Sequence, residues 1–338
     1  MNQKTILLGH GSGGKMSHDL IESVFSRYFK NDILLKQTDA AVLQINQNRV
    51  AFTTDSFVVD PLFFPGGNIG KLAVAGTVND IAVSGAIPQY LSAGFIIEEG
   101  FPLYQLEEIV QTMSDEAAKA GVQIVTGDTK VVDKGKCDKL FINTSGVGIL
   151  PEGRKDLGLA QNVEPGDVIL VNGAIGSHGM AIMAARNELN IGASIASDCA
   201  CLNGLIDSVL SAGYQVKFMR DATRGGLGTV LAELAGQRRF GLEIQENKLA
   251  IDQAVRGMCE LLGFDPLYVA NEGKVVMIVA RQDAENVVKL LKEHPLGQEA
   301  SIIGTITDKS AGKAWLQTVV GGKRVIEMLS GQQLPRIC

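Results

Sequence analysis

Two spacings of apolar residues alternate along the first half of this chain. Residues 49–60 and 88–98 are rich in Val, Phe and Ile and read as strands. Between them Ile69–Val83 is a run of small and apolar residues that predicts a helix able to pack closely on a sheet. Pro102 starts a second predicted helix, with Leu103, Leu106, Ile109, Val110 and Met113 on one face. Strands at 122–132 and 139–150 close this half. The polar stretch 151–166, with two prolines, reads as a linker. Beyond it Asp167–Asn172 predicts a strand, Ser177–Asn187, Leu202–Ala212 and Gly226–Ala235 helices, and Lys274–Ala280 a strongly apolar strand. Ala284–Lys292 predicts a further helix, and strands are expected around Ile302 and Trp315. Nothing is periodic from Ser330 onward.

No close internal repeat is visible. Strand neighbours are often joined without a full helical crossover, which favours an α+β architecture over a doubly wound sheet. The expected division is an N-terminal domain over 1–155, a C-terminal α/β sandwich over 156–329, and a mobile tail over 330–338.

Composition narrows the class. With 338 residues, 46% hydrophobic and 20% charged, the chain can bury two cores. A net charge of −6 argues against nucleic acid as a partner, because that needs a clustered basic face. No apolar run approaches a membrane span, and the first residues do not form a signal peptide. The five cysteines (137, 199, 201, 259 and 338) include no CxxC pair, so reduced thiols and a cytoplasmic location are expected. Cys199 and Cys201 form a CxC, but without a further His or Cys pair nearby it does not read as a zinc site.

Candidate chemistry lies in three places. Gly9-His10-Gly11-Ser12-Gly13-Gly14-Lys15 is a glycine-rich loop whose backbone N–H groups and one ammonium could wrap a polyphosphate. Met16 follows the lysine, so the loop is not a Walker A motif. Five aspartates sit among small or hydroxyl residues: Asp39, Asp55, Asp80, Asp128 and Asp221. Each alone reads as a cap or turn residue. Several lie at strand ends or in an apolar helix, where a carboxylate needs a cation or a partner, and together they point to a nucleotide–metal site. Finally, the last residue is a thiol, Cys338, on a chain end with almost no packing duty.

The order GSGGK, TDAAV, TTDSF, GTVNDIAVSGAIP, TGDTK, DATRGGLGTVLAEL and NEGK resembles the ATP-binding superfamily of aminoimidazole ribonucleotide synthetase and selenophosphate synthetase, over essentially the whole chain. With the terminal PRIC, the sequence is similar to the carbamoyl dehydratases of hydrogenase maturation in that superfamily. The resemblance implies an N-terminal sheet that dimerises into a barrel-like core, with ATP in a cleft at its edge. It implies ATP and Mg2+ as cofactors and conversion of a thiocarbamate on the C-terminal cysteine to a thiocyanate, supplying cyanide to the iron of nickel–iron hydrogenase. The partners implied are a second copy of the chain, a carbamoyltransferase that modifies Cys338, and an iron-carrying hydrogenase assembly complex. A selenophosphate synthetase would carry a Cys or selenocysteine in the glycine loop, where this chain has Gly13-Gly14.

On this reading Gly11, Gly13, Gly14 and Lys15 hold phosphate. Asp39, Asp55 and Asp80 carry magnesium, and Asp128 and Asp221 complete the nucleotide site. Dehydration removes two protons from the amide nitrogen, so a base is needed near the thiol. Lys130 and Glu272 are the candidates, expected to pair in a dry pocket. His10 and His178, beside glycines, could touch phosphate, although a loop histidine of no special role is the commoner reading. Two alternatives stay open: a small-molecule ATP-dependent synthetase with an incidental terminal cysteine, and a non-catalytic thiol carrier.

Overall fold

The computed structural model describes residues 14–20, 22, 32, 34–45, 48–186, 195–237, 240–329, 334 and 336–338. Gly11 and Gly13, together with most of the glycine loop and residues 330–333 and 335 of the tail, lie outside the described residues.

The N-terminal region forms an open five-stranded sheet in the order β1-β2-β7-β5-β6. Its strands are β1 (Ala41–Ile45), β2 (Asn48–Phe57), β5 (Ile87–Glu98), β6 (Gln123–Val132) and β7 (Leu140–Leu150). Only β5 and β6 run parallel. The short α1 (Lys15–Leu20) precedes this sheet, and a two-stranded ribbon of β3 (Phe63–Phe64) and β4 (Gly67–Asn68) precedes the helix α2.

Helix α2 (Ile69–Val83) starts at Asn68, whose side chain accepts the N–H groups of Gly70 and Lys71. It is buried almost all round, which its uniformly small and apolar composition allows. It packs on β2 and β7 closely enough that a Cβ on Gly76 would touch the Phe57 ring at 3.0 Å. Helix α3 (Leu103–Ala120) shows the opposite design. Ile109, Met113, Ala117 and Ala120 face the core while most of the rest is solvated, and it stops at Gly121 in the left-handed conformation.

The C-terminal region is a seven-stranded mixed sheet, ordered β14-β13-β10-β12-β8-β11-β9. It comprises β8 (Val168–Val171), β9 (Val216–Asp221), β10 (Gly241–Gln245), β11 (Val275–Val279), β12 (Ser301–Thr307), β13 (Ala314–Gln317) and β14 (Lys323–Ile326). Only β10 and β13 pair in parallel. Its helices are α4 (Ser177–Arg186), α5 (Asn203–Ser211), α6 (Gly226–Gln237), α7 (Gln253–Leu262) and α8 (Ala284–Glu293).

Strands β8 and β11 are apolar at every position because both sheet faces are covered. Ile169, Val171, Val276 and Ile278 pack with Leu227, Leu231 and Leu234 of α6. Val168, Leu170, Met277 and Val279 pack with α5 and α8 on the other side. The stretch 151–166 is not a free linker. Leu157 is buried in that second cluster beside Ala82 and Val83 of α2, and its N–H donates to the Ser84 carbonyl. No described helix is long and apolar enough to cross a membrane.

The two faces of the N-terminal sheet differ. The inner face carries α2. The outer face exposes Phe52, Tyr90, Ile96 and Ile149, and β6 is solvent-exposed along nearly its whole length. Among the described residues the sheet does not close on itself, so no barrel forms within one chain.

Residues 330–338 were expected to be a mobile tail whose Cys338 enters the cleft, and the described chain end lies docked. Ile337 is 3% exposed within the cluster of Phe57, Val59, Leu72 and Ile182, with Leu334 and Cys338 packed against it. Burying apolar surface and satisfying backbone groups holds an end that would otherwise fray.

A carboxylate-lined cleft that receives the C-terminal cysteine

The strand ends and helices bring four of the five aspartates together. Asp39 lies just before β1, Asp55 on β2, Asp80 near the end of α2 and Asp221 at the end of β9. Asp39 is held by Arg220 (Nε to Oδ2, 3.1 Å), whose guanidinium also donates to Glu233 (3.0 Å) and to the Gln37 carbonyl (3.2 Å). His18 closes the far side of this network on Glu233 at 3.0 Å. The Thr53 hydroxyl lies 2.8 Å from an Asp80 oxygen and 3.0 Å from the Asp39 carbonyl, tying β2 to α2.

The electrostatics are unfavourable as they stand. Burial drives Asp80 well above the ordinary carboxylate range, and Asp55, Asp221 and Asp39 push it further. Asp221 is raised by burial and then by Asp39 and Asp55. Asp55 is raised by burial, with Arg224 opposing. Like charges held this close in a dry site disfavour one another's ionisation. Among the described residues no three acidic, His or Cys side chains form a closed metal cage. Carboxylate oxygens are the donor type that a hard cation takes, usually beside phosphate oxygens.

Glu272 completes the wall. It follows Asn271, whose side chain accepts the Gly176 N–H and donates to the Ala222 carbonyl. The Glu272 N–H donates to Asp198 (3.1 Å), which pairs with Lys274 at 2.9 Å. A Cβ on Gly273 would run into the Asp198 carbonyl oxygen, so glycine is required for this close approach. The Glu272 carboxyl is 2% exposed, and its Oε1 has no hydrogen-bond partner. Burial holds it well above the usual range, reinforced by Asp221, Asp198 and Asp55.

Cys338 enters this environment. Its carbonyl accepts the Val58 N–H at 3.0 Å. Burial pushes its thiol up to about 12; Arg224 opposes the shift, and Glu272 and Asp55 add to it. Arg224 is the residue that sequence reasoning missed. Its positive charge is reinforced first by Cys338 and then by Asp55, Glu272 and Asp80, against desolvation. The signal was present as a cation three residues after Asp221, just before the Gly225-Gly226 turn. His178 was also misjudged. It is fully buried at the start of α4, with its ring 2.7 Å from the Ile337 carbonyl oxygen.

Two candidates lie elsewhere. Lys130 and Asp128 pair with each other at 2.8 Å on exposed β6, with side chains 68% and 70% exposed. The expected Lys130–Glu272 pair does not form, because side chains at 128 and 130 share the strand's outer face while Glu272 is buried between the domains. Asp128 and Lys130 instead line an outer cavity of about 410 Å³ that also includes Val58. Lys15 opens α1, and its N–H donates to the Leu329 carbonyl at 2.8 Å. The preceding Gly14 presses on the same carbonyl, so the end of the glycine loop touches the root of the tail.

Residues 37–150 match the family model "AIR synthase related protein, N-terminal domain", and residues 164–317 match the corresponding C-terminal domain. The chain is 48% identical over 329 residues to carbamoyl dehydratase HypE of Azotobacter vinelandii, covering 97% of this chain and 96% of that protein. It is 48% identical to the protein of the same name from Escherichia coli, covering 98% and 99%. A solved HypE in complex with ATP superposes with a TM-score of 0.83 at 45% identity, covering 99% of this chain and 100% of that one. HypE in the HypE–HypF complex gives 0.85 at 47%, covering 92% and 99%. A thiamine monophosphate kinase at 14% identity and a TM-score of 0.67 shares the fold. This chain belongs to the AIR synthase related family, within its carbamoyl dehydratase HypE group.

Proposed function

We infer that the protein is an ATP-dependent carbamoyl dehydratase acting on its own Cys338. The observation that carries this reading is the delivery of the terminal thiol into a cleft lined by Arg224, Glu272 and four mutually repelling aspartates. The net change is R–S–C(=O)–NH2 + ATP → R–S–C≡N + ADP + phosphate + H+, with the amide oxygen leaving in the phosphate. ATP bound with magnesium supplies the phosphoryl group that turns this oxygen into a leaving group.

The residues divide the remaining work. Asp39, Asp55 and Asp80, with Asp221 beside them, would hold magnesium, and Lys15 with Gly11, Gly13 and Gly14 would hold phosphate. The buried, unpartnered Glu272 oxygen is placed to take protons from the amide nitrogen, and Arg224 steadies negative charge at the sulfur end. The docked tail holds the group in the cleft and away from water.

The exposed outer sheet face supports a homodimer, since a second copy would cover Phe52, Tyr90 and Ile149 and extend the open sheet towards a barrel-like core. Lys130 and Asp128 lie on that face and would act from the dimer interface. The HypE–HypF complex supports a carbamoyltransferase as the partner that loads Cys338, with an iron-carrying assembly complex for nickel–iron hydrogenase receiving the cyano group. Phosphate release tests the scheme. One phosphate per carbamoylated Cys338 is expected, and none from Cys338→Ala; equal release from that variant would point to a small-molecule substrate instead.

A further inference from the structure

Glu272 is gripped by its main chain. Its N–H donates to Asp198 Oδ1 at 3.1 Å and its carbonyl accepts the Ala200 N–H at 3.2 Å, so one loop holds both sides of the residue. The residues that follow are tied down as well. The Gly273 carbonyl accepts from the Asn172 amide at 3.1 Å, and the Asn172 oxygen takes the Val275 N–H at 2.8 Å. The carboxyl, by contrast, has an oxygen, Oε1, with no hydrogen-bond partner among the described residues. Where that oxygen lies is set by the backbone that carries it, not by a bond of its own.

The gripping loop is itself anchored from two directions. On one side Lys274 Nζ lies 2.9 Å from Asp198 Oδ2, with side chains only 12% and 7% exposed. The contact is an ion pair rather than an aligned hydrogen bond, and Lys274 also reaches the Gly273 carbonyl at 3.2 Å. Burial opposes charge on Asp198, but Lys274 and the Glu272 N–H outweigh it and hold this carboxyl below its ordinary range. A buried N–H needs only a neutral oxygen, and a buried ion pair is a costlier way to supply one.

On the other side stands Asn79, buried on α2 directly before Asp80. Its amide donates to the Ala200 carbonyl at 3.0 Å and to the Glu272 carbonyl at 3.5 Å, and its oxygen accepts the Leu202 N–H at 2.7 Å. The loop 198–202 therefore joins Glu272 to the helix that carries Asp80.

We propose that Asp198 and Asn79 are positioning residues for Glu272, holding its peptide through the loop 198–202 so that the unpartnered Oε1 is aimed at the amide nitrogen. The assignment rests on the reading of Glu272 as the group that takes the amide protons, and deepens it. Neither residue touches the reacting atoms. Two protons leave one nitrogen in succession while the carbon it is bonded to goes from planar to linear, so the base has to stay aligned throughout. A displacement of about 1 Å at such a step costs about 100-fold in rate.

The test is a double-mutant cycle in the full-length protein carbamoylated on Cys338. Conversion is followed by intact mass in a single turnover at saturating magnesium and ATP. With Glu272 in place, Asp198→Ala and Asn79→Ala should each slow conversion about tenfold. Asp198→Asn, which keeps an oxygen for the Glu272 N–H, should return to within about threefold of the unsubstituted chain. In a Glu272→Gln chain the two Ala substitutions should change the remaining slow rate by less than about twofold, because a residue acting through Glu272 has nothing left to act on.

Asn79→Ala carries the cycle if Asp198→Ala, which strands the Lys274 charge, fails to fold. Equal slowing with Glu272 and with Gln at that position would make the two residues merely structural and overturn the proposal. So would an unchanged rate in both Ala variants while Glu272→Gln is slow, which leaves Glu272 standing as the base. Undiminished conversion by Glu272→Gln itself would instead overturn the base assignment, and the positioning role with it.

Discussion

The carboxylate cleft and the outer face of the N-terminal sheet carry similar residue types in opposite states. In the cleft, Asp55, Asp80, Asp221 and Glu272 are withdrawn from water and raise one another's pKa values. On the outer face, Asp128 and Lys130 neutralise each other in solvent, on the face that also exposes Tyr90 and Ile96. In the described cleft the carboxylates outnumber the guanidinium groups of Arg220 and Arg224 that face them. The outer face has its charges balanced and lacks only a cover. Buried carboxylates call for a compensating cation or partner, and exposed apolar groups call for a cover.

The largest effect expected from breaking this contrast is at Glu272. Glu272→Gln keeps the shape but cannot accept a proton, so conversion of the carbamoylated tail should fall about 100-fold or more while ATP binding is kept. Single-turnover phosphate release beside calorimetry separates the two. A variant with undiminished turnover removes Glu272 from the chemistry.

Charging the outer face comes next. Tyr90→Asp, at a side chain whose burial would need a second copy, should convert a dimer into a species near the 35.9 kDa monomer in sedimentation. A wild-type chain already at that mass at micromolar concentration would contradict the dimer.

A smaller effect, with a definite sign, is expected for stability. Because the Asp80 pKa is raised in the folded state, the folded chain binds more protons than the unfolded one between the two values. Without metal, stability therefore falls as pH rises from the ordinary carboxylate range through the raised value. Asp80→Asn removes that loss. At neutral pH it should melt about 3 °C higher than the metal-free wild type. The gap should close in acid and reverse when magnesium and ATP are added. Thermal scans at several pH values check this; a gap that grows in acid would refute the electrostatic reading.

The smallest effect is assigned to Lys130→Ala. Exposed and paired with Asp128, it should change turnover by about tenfold or less, and only in the dimer. The same loss in a Tyr90→Asp monomer would show that Lys130 works within its own chain.

Much of this was legible in the sequence, for physical reasons. Uniform small-residue composition foretold the buried α2, and the continuous apolar run at 275–279 foretold a central strand. Buried aspartates at strand ends were visible because a carboxylate in an apolar setting needs a reason. Side-chain direction was less legible. Asp128 and Lys130 sit in a motif as distinctive as the others, yet the pleat and the edge position of β6 turn them to solvent. Arg224 and His178 were hidden because their partners are at the far end of the chain. A histidine beside glycines shows no sign that residue 337 will return to meet it. The tail looked loose because its contacts are to backbone carbonyls, which leave no pattern in side-chain identity.

The central claim is that the docked Cys338 is the substrate of the cleft, and the intact mass of the full-length protein tests it most directly. After incubation with a carbamoyl donor and its transferase, Cys338 should gain about 43 Da, and on adding magnesium and ATP it should lose about 18 Da, as the group formulas require. Peptide mapping should place both changes on the terminal residue. A mass that does not fall when ATP is added, or a modification that maps to Cys137, Cys199, Cys201 or Cys259, would contradict the account.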